Sequence, residues 1–264
     1  MLMEVKNQLR VTRQSIRYAL QREMLNKITF FSNIFFMIIN NSCFIVQWII
    51  LYSLKDEVGG YTFKQVLLLW GMAALGYGIS RFFFKESFDL SEIINSGKLD
   101  NYLVQPKNTL IQCITSSVEV SAIGDMIYGL IMLALFGLNI KSLLLFLFCG
   151  VCGALVIVSI SVIFSSLAFW FGRTEMVANT VNSLMTNFAT YPEGIFKGFI
   201  KLLFYTILPL GLTTYIPVQL ISEFNYVYFI YILLGTIVFI MLAFIVFYKG
   251  LKKYSSTNLM NARI

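Results

Sequence analysis

The chain has 264 residues, of which 58% are hydrophobic and only 12% are charged. Soluble domains carry about 25% charged residues, so this composition excludes an ordinary soluble protein and favours a membrane protein. The formal net charge is +7. Lys and Arg are nevertheless spread along the chain and do not form one aromatic-rich patch, so no nucleic-acid partner is expected.

Residues 1–27 predict an amphipathic helix that lies in the membrane interface. Apolar residues recur at helical spacing from Leu2 to Met24, and a basic stripe runs beside them from Lys6 to Arg17. A basic stripe of this kind suits lipid headgroups. A helix packed on the protein with its basic side in water would have the same pattern.

Apolar segments after residue 27 predict six transmembrane helices, because about 20 apolar residues are needed to cross the hydrocarbon layer. Their predicted bounds are 28–54, 64–84, 109–138, 142–171, 174–190 and 226–248. Paired glycines in KDEVGGYT (55–62) indicate a tight reversal between the first two helices. The predicted fold is therefore an all-α membrane protein, with residues 1–264 forming one domain.

The distribution of basic residues predicts the orientation. With the N-terminus in the cytoplasm, 15 of the 20 Lys and Arg residues lie on cytoplasmic segments and 5 lie outside. The opposite orientation would reverse this bias and violate the positive-inside rule. Both termini are therefore predicted to be cytoplasmic.

A polar insert at 85–107, between the second and third predicted spans, has a regular apolar pattern. A short helix is predicted first, a glycine ends it, a second apolar turn follows, and a proline stops that turn. Apolar side chains exposed on the inner face would form a docking surface for a partner protein; a helix that rests on lipid is the alternative. The residues predicted to form this surface are Phe88, Leu90, Ile93, Ile94, Gly97, Leu99, Asp100, Leu103 and Pro106.

The fifth predicted helix, at 174–190, is unusually polar. It includes Asn179, Asn182 and Asn187, together with several Thr and Ser residues. Polar groups in hydrocarbon need partners, so other helices should shield this helix, or it should line a water-filled path. Arg173 and Glu175 flank its start, where they could form an ion pair or helix cap, or transmit a cytoplasmic movement.

Two acidic residues, Glu119 and Asp125, fall within the third predicted span. A charge at that depth is costly and is a candidate functional group. Nearby hydroxyl or basic groups could instead satisfy both acids for structural reasons. The functional alternatives are proton coupling and contact with a cationic substrate.

Three of the chain's 4 prolines lie between residues 192 and 217. This segment is apolar but repeatedly interrupted, so residues 192–222 predict a broken, re-entrant hairpin on the outer side. Free backbone groups in such a hairpin are tolerated where protein buries them.

No motif predicts catalysis or metal binding. The chain has no histidine, no GxSxG or HExxH sequence and no phosphate-binding loop. Cys149 and Cys152 have CxxC spacing but lack a second pair, so we interpret them as small helix-packing residues. The chain is predicted not to be an enzyme and to hold no cofactor of its own.

Several stretches together resemble the permease subunits of type-2 ABC exporters, and within them a bacterial branch. They are INSGKLDNYLVQPKN (94–108), GRTE (172–175), YPEGIF (191–196), LP (208–209) and YIP (215–217). The order of predicted elements is also similar over nearly the whole chain.

This resemblance implies that residues 85–107 correspond to a coupling helix, which seats in a groove of a separate ATP-binding subunit. Two permease chains, identical or different, would join two such subunits in a bacterial plasma membrane, with ATP and Mg²⁺ held by the ATP-binding subunits. A secondary transporter that exchanges protons at Glu119 or Asp125 is the alternative function.

Overall fold

The computed structural model describes residues 2–255, with side chains from residue 6 onward. The predicted cytoplasmic C-terminal end, including Arg263, lies outside these residues. The α-helices are α1 (Leu2–Glu23), α2 (Lys27–Leu54), α3 (Phe63–Phe84), α4 (Leu90–Asn95), α5 (Asp100–Leu103), α6 (Thr109–Ile114), α7 (Ala122–Gly137), α8 (Ile140–Ser166), α9 (Ala168–Phe171), α10 (Glu175–Phe188), α11 (Phe199–Thr206), α12 (Ile216–Ser222) and α13 (Tyr226–Leu251).

Side-chain caps explain where several of the long helices begin. Asn26, Asn139 and Asn225 each accept a hydrogen bond from a backbone N–H in the first turn of α2, α8 and α13. An asparagine at this position satisfies one of the N–H groups that a helix start leaves without a partner. These asparagines therefore set the register at which each apolar segment becomes helical.

A two-residue hairpin joins α2 to α3. Strands β1 (Glu57–Val58) and β2 (Tyr61–Thr62) pair antiparallel, with Gly59 and Gly60 at φ +60° and +77° between them. Two positive φ values are those of a type I′ turn, which glycine adopts without strain. The predicted reversal is confirmed, and it takes the form of a small β-hairpin.

Within residues 2–255, four helical segments are long and apolar enough to cross a membrane: Lys27–Leu54, Phe63–Asn95, Ile140–Phe171 and Tyr226–Leu251. The bent pair formed by residues 199–206 and 211–222 adds a fifth if it counts as one span. Most residues of the second are buried, whereas few residues of the first and last are. The all-α membrane class is confirmed, and six spans stays a prediction.

The third predicted span, 109–138, is not one helix, so that prediction was wrong. Helix α6 ends at Ile114 and α7 begins at Ala122, with non-helical backbone between them. The hydroxyl groups of Thr115 and Ser116 bond to the carbonyls of Ile111 and Cys113. Such local bonds compete with helix continuation. Glu119 therefore lies in the non-helical stretch between α6 and α7, and only Asp125 lies on a helix.

Two other elements differ from continuous spans. Helix α10 has 14 residues, about 21 Å at 1.5 Å per residue, which is short for a hydrocarbon layer of about 30 Å. Residues 192–222 are broken as predicted, with a bend of 72° between α11 and the helical segment after it. The bend contains Pro209, whose missing N–H prevents continuous helical bonding.

Helices α3 and α7 approach each other at glycine. A Cβ atom on Gly78 would stand 2.9 Å from the Ala122 carbonyl, and one on Gly129 would stand 2.8 Å from the Gly71 carbonyl. Small residues let membrane helices come this close. The pairing places the end of α3, including Arg81, beside the start of α7, where the acidic residues lie.

Candidate functional site

Residues 85–107, named the coupling segment for the helix that they resemble, lie against the helical body at the end where α3 finishes and α6 begins. Four of its apolar side chains, Leu90, Ile93, Ile94 and Leu99, are at most 5% exposed. They pack in one core cluster with residues of α6, α8 and α13. Phe88 is also buried, and the Arg81 guanidinium lies 4.8 Å from its ring centre.

The expectation that these five side chains are exposed for docking was therefore wrong. These side chains do recur at helical spacing, but the apolar face that they form packs against the core of the same chain. Burial of apolar surface inside the chain gives the same pattern as a face kept for a partner. The segment is thus packed firmly against α6, α8 and α13, the helices that a coupling helix would have to move.

The exposed surface of the coupling segment lies further along. Val104 is 84% exposed and Leu103 is 40% exposed, and Pro106 beside them is also exposed. Gly97, at φ +74°, ends the helix before this surface as predicted. Val104 was not among the predicted docking residues, although its position between Leu103 and Pro106 could have drawn attention to it.

An acidic pocket of about 310 Å³ opens on the same segment. Glu86, Asp89 and Glu92 line it together with Lys98, whose Nζ lies 2.9 Å from the Glu92 carboxylate. That hydrogen bond raises the pKa of Lys98. In the described part of the chain, no group of three or more His, Cys, Asp or Glu residues is placed to hold a metal ion.

Hydrogen bonds tie the coupling segment to the turn before α10. The Asn95 side chain donates to the Gly172 carbonyl and to the Glu175 carboxylate, both at 3.3 Å. The hydroxyl groups of Ser91 and Thr174 lie 3.3 Å apart. The structure thus brings together the two stretches singled out at 94–108 and 172–175.

Arg173 is exposed, and no ion pair joins it to Glu175 among the described residues. The ion pair considered from the sequence is therefore absent. The Glu175 carboxylate instead accepts a hydrogen bond from the Asn95 side chain.

A buried chain of hydrogen bonds continues from the coupling segment into α10. The Ser161 hydroxyl on α8 donates to the Ser87 carbonyl at 2.9 Å, and the Asn182 amide donates to the same hydroxyl at 3.2 Å. All three residues are buried. One polar route therefore crosses three elements, and neither Ser87 nor Ser161 was predicted.

The coupling segment also contacts the chain just after α13. The Tyr254 hydroxyl donates to the Asp100 carboxylate at 2.9 Å. The segment is thereby connected to helices from both halves of the chain. Asp100, predicted as a docking residue, makes this internal contact and is only partly exposed.

A polar cavity of about 370 Å³ lies among α2, α3, the start of α7 and the end of α10. Its size falls in the range of small-molecule sites. One wall is amide- and hydroxyl-rich, and another is apolar and aromatic. Its polar lining residues are Asn40, Asn41, Gln47, Tyr77, Arg81, Glu119, Asp125, Thr186, Asn187, Thr190 and Tyr191.

The two acidic residues in this cavity have different partners. Glu119 pairs with Arg81 at 3.1 Å and accepts a second hydrogen bond from the Ser121 hydroxyl at 2.9 Å. Asp125 accepts one bond, from the Asn41 amide, at 2.6 Å. Arg81 and Asn41 were not predicted, because they are 38 and 84 positions from their partners in sequence.

The five residues considered as path-lining divide into two groups. Glu119, Asp125 and Asn187 line the cavity. Asn179 is exposed on α10, and Asn182 is buried against α8. The three asparagines of α10 therefore have different environments: Asn179 is exposed, Asn182 is buried against α8, and Asn187 lines the cavity.

Comparison with known families agrees with this architecture. The family model described as ABC-2 family transporter protein matches residues 25–258. The chain belongs to the ABC-2 transporter family. No curated protein and no solved structure gave a match.

Membership makes the chain an integral membrane component of an ABC transporter, a permease that works with ATP-binding subunits. The matched range includes both the coupling segment and the polar cavity. It begins after α1, so residues 1–24 lie outside the family match.

Proposed function

We propose that this ABC-2 permease forms the substrate path of an ATP-driven exporter together with a second permease chain. Two separate ATP-binding subunits, which hold ATP and Mg²⁺, supply the energy. The chain crosses a bacterial plasma membrane six times, with both termini in the cytoplasm. The segment at 192–222 is a re-entrant hairpin at the outer end of the path.

The observation that carries this proposal is the attachment of the coupling segment to α10. A force applied to residues 85–107 cannot act on that segment alone, because its apolar side is packed into the helical body. Asn95 and the bond between Ser91 and Thr174 connect it to the turn that starts α10. The end of α10 in turn contributes to the polar cavity.

ATP-binding subunits that close on nucleotide would push on the exposed surface of this segment. The packed elements transmit such a push as a rigid-body shift between two arrangements of the helices, as alternating access requires. The cavity would then be open to one side of the membrane in each arrangement. Docking involves Leu103, Val104, Pro106 and the acidic pocket.

The proposal is tested by purifying the chain with its ATP-binding partners from its native membrane. Val104→Asp places a charge at the centre of the exposed docking surface. We expect this variant to lose most of the co-purifying nucleotide-binding protein and the ATP-dependent transport. Leu25→Asp, at an equally exposed apolar residue between α1 and α2, is the matched control and should retain both.

Co-purification that survives Val104→Asp, or that falls equally in both variants, would contradict docking at this surface. Transport that follows a pH gradient in membranes without nucleotide would instead favour the proton-coupled alternative. Transport that depends on ATP, and that fails only in the docking variant, supports the exporter.

A further inference from the structure

The polar cavity contains three charged side chains, and their pairing is unequal. Arg81 is occupied by Glu119 at 3.1 Å and by the Phe88 ring on its other side. Glu119 is satisfied by Arg81 and Ser121. The positive charge of Arg81 is therefore neutralised by Glu119.

Asp125 has no ion-pair partner of its own, although the Arg81 guanidinium that pairs with Glu119 also acts on it electrostatically. It is 8% exposed, it lines the cavity, and no ion pair to it occurs among the side chains of residues 6–255. A carboxylate has about four acceptor positions, and the Asn41 amide uses one of them. A buried carboxylate with so few partners is costly in its charged form unless a positive group, further donors or a proton complete it.

The rest of the cavity offers apolar and aromatic surface. The rings of Phe44 and Trp70 are stacked with centroids 6.0 Å apart, and Ala73 and Ala74 continue the same wall. The Trp70 indole N–H is buried and has no hydrogen-bond partner in the described chain. Trp70 and Arg81 lie about 16 Å apart along α3, so the aromatic and charged parts lie toward opposite ends of the cavity.

We propose that this cavity binds a cationic amphiphile, a molecule with an ammonium or guanidinium group on an apolar body. The cationic group bonds to Asp125, and the apolar body lies against Phe44 and Trp70, where a ring face also attracts positive charge. Arg81 and Glu119 hold the site in shape and do not contact the cation. Transport of such a molecule rests on the exporter function, whereas its binding does not.

Binding can be measured on the full chain in phosphatidylcholine nanodiscs. The probes are octylammonium, octyl glucoside and octyl sulfate, which share one apolar chain and differ in headgroup charge. Tryptophan fluorescence is followed in a Trp48→Phe, Trp170→Phe background, so that Trp70 in the cavity wall is the reporter. We expect a saturable change with octylammonium and none with the other two.

Asp125→Asn should weaken octylammonium binding by about tenfold or more, because it removes the charge from a buried ionic contact. Asp125→Glu should keep most of the affinity, and Glu223→Gln, at an exposed acid away from the cavity, should leave it unchanged. Size-exclusion chromatography and thermal unfolding verify that each variant is folded. If Asp125→Asn does not fold, the comparison of the three probes on the parent chain decides alone.

Equal octylammonium binding by the parent and a folded Asp125→Asn variant would overturn the proposal. Binding of octyl glucoside or octyl sulfate as tightly as octylammonium would also overturn it. Either outcome leaves the exporter function intact, since that function is tested by Val104→Asp and nucleotide dependence. A parent chain that binds octylammonium but shows no ATP-dependent transport with its partners would contradict the exporter and leave this site standing.

Discussion

Arg81 and Glu119 are 38 positions apart, yet they form the ion pair that separates the roles of the two acids. From the sequence, Glu119 and Asp125 are equivalent, since both are acidic residues in an apolar stretch. The break between α6 and α7 moves Glu119 out of the helix and toward the end of α3. The position of that non-helical stretch therefore decides which carboxylate finds an ion-pair partner within the chain.

At the residue scale, Asn182 links α10 to the coupling segment indirectly, through the Ser161 hydroxyl on α8. Asn182→Ala should lower the stability of the folded chain modestly. In a double-mutant cycle with Ser161→Ala, the coupling free energy should be about 0.6 kcal/mol, the average for hydrogen bonds between membrane helices. Thermal unfolding in detergent measures it, and ATP-dependent transport should fall more than ATP hydrolysis does.

Asn179→Ala is the control, because Asn179 is an amide on the same helix but is exposed. Additive effects of Asn182→Ala and Ser161→Ala would mean that the bond between them contributes nothing. An equal loss of transport in Asn179→Ala would mean that α10 responds to any change in polarity.

At the element scale, glycine decides which helices meet. Glycines on a membrane helix favour close packing, and the structure assigns those at 71, 76 and 78 of α3 to different neighbours. Gly71 and Gly78 face α7 at backbone distance, whereas Gly76 faces α8 with ordinary spacing. A single sequence indicates small residues but cannot indicate which partner helix each one meets.

Gly78→Ala and Gly76→Ala form a matched pair on α3. A Cβ atom at residue 78 would stand 2.9 Å from backbone atoms of Ala122 and Met126, while one at residue 76 would stand 3.5 Å from the end of the Ile157 side chain. Gly78→Ala should cost about 1–3 kcal/mol through overpacking, and Gly76→Ala should be neutral or slightly stabilising. Thermal unfolding of the two variants side by side provides the measurement. Equal stabilities would show that α3 and α7 are less closely packed than these distances indicate.

The coupling segment illustrates a second limit at this scale. Its helical periodicity was predictable, and so was the role of Gly97 as its end. Which side of that helix faces solvent was not predictable, because the core that covers it comes from α6, α8 and α13. Two of those helices, α8 and α13, are remote in sequence, and periodicity reports only that one face is apolar.

For the whole molecule, the charge distribution predicts that the coupling segment and the hairpin at 192–222 lie on opposite sides of the membrane. This arrangement can be tested in the full chain with Cys43 replaced by serine, since the other three cysteines are buried. Val104→Cys and Lys197→Cys each add one exposed thiol. A membrane-impermeant maleimide should label Lys197→Cys in intact cells, and Val104→Cys only after permeabilisation.

The reverse labelling pattern would show that the N-terminus lies outside. Labelling of both positions in intact cells would place them on the same side and contradict the predicted number of crossings. Equal labelling of both after permeabilisation is the control for access.

The sequence alone determines the class of this protein and the location of its main features along the chain. Composition, long apolar segments and glycine or proline at chain reversals are local properties, so they indicate the long apolar helices, the polar insert at 85–107 and the broken segment at 192–222. The tertiary structure alone decides that the apolar face of α4 turns inward, that Arg81 neutralises Glu119, and that Asp125 lines the cavity without an ion-pair partner among residues 6–255. Each of these depends on contacts between distant residues, and such contacts form only when the helices pack.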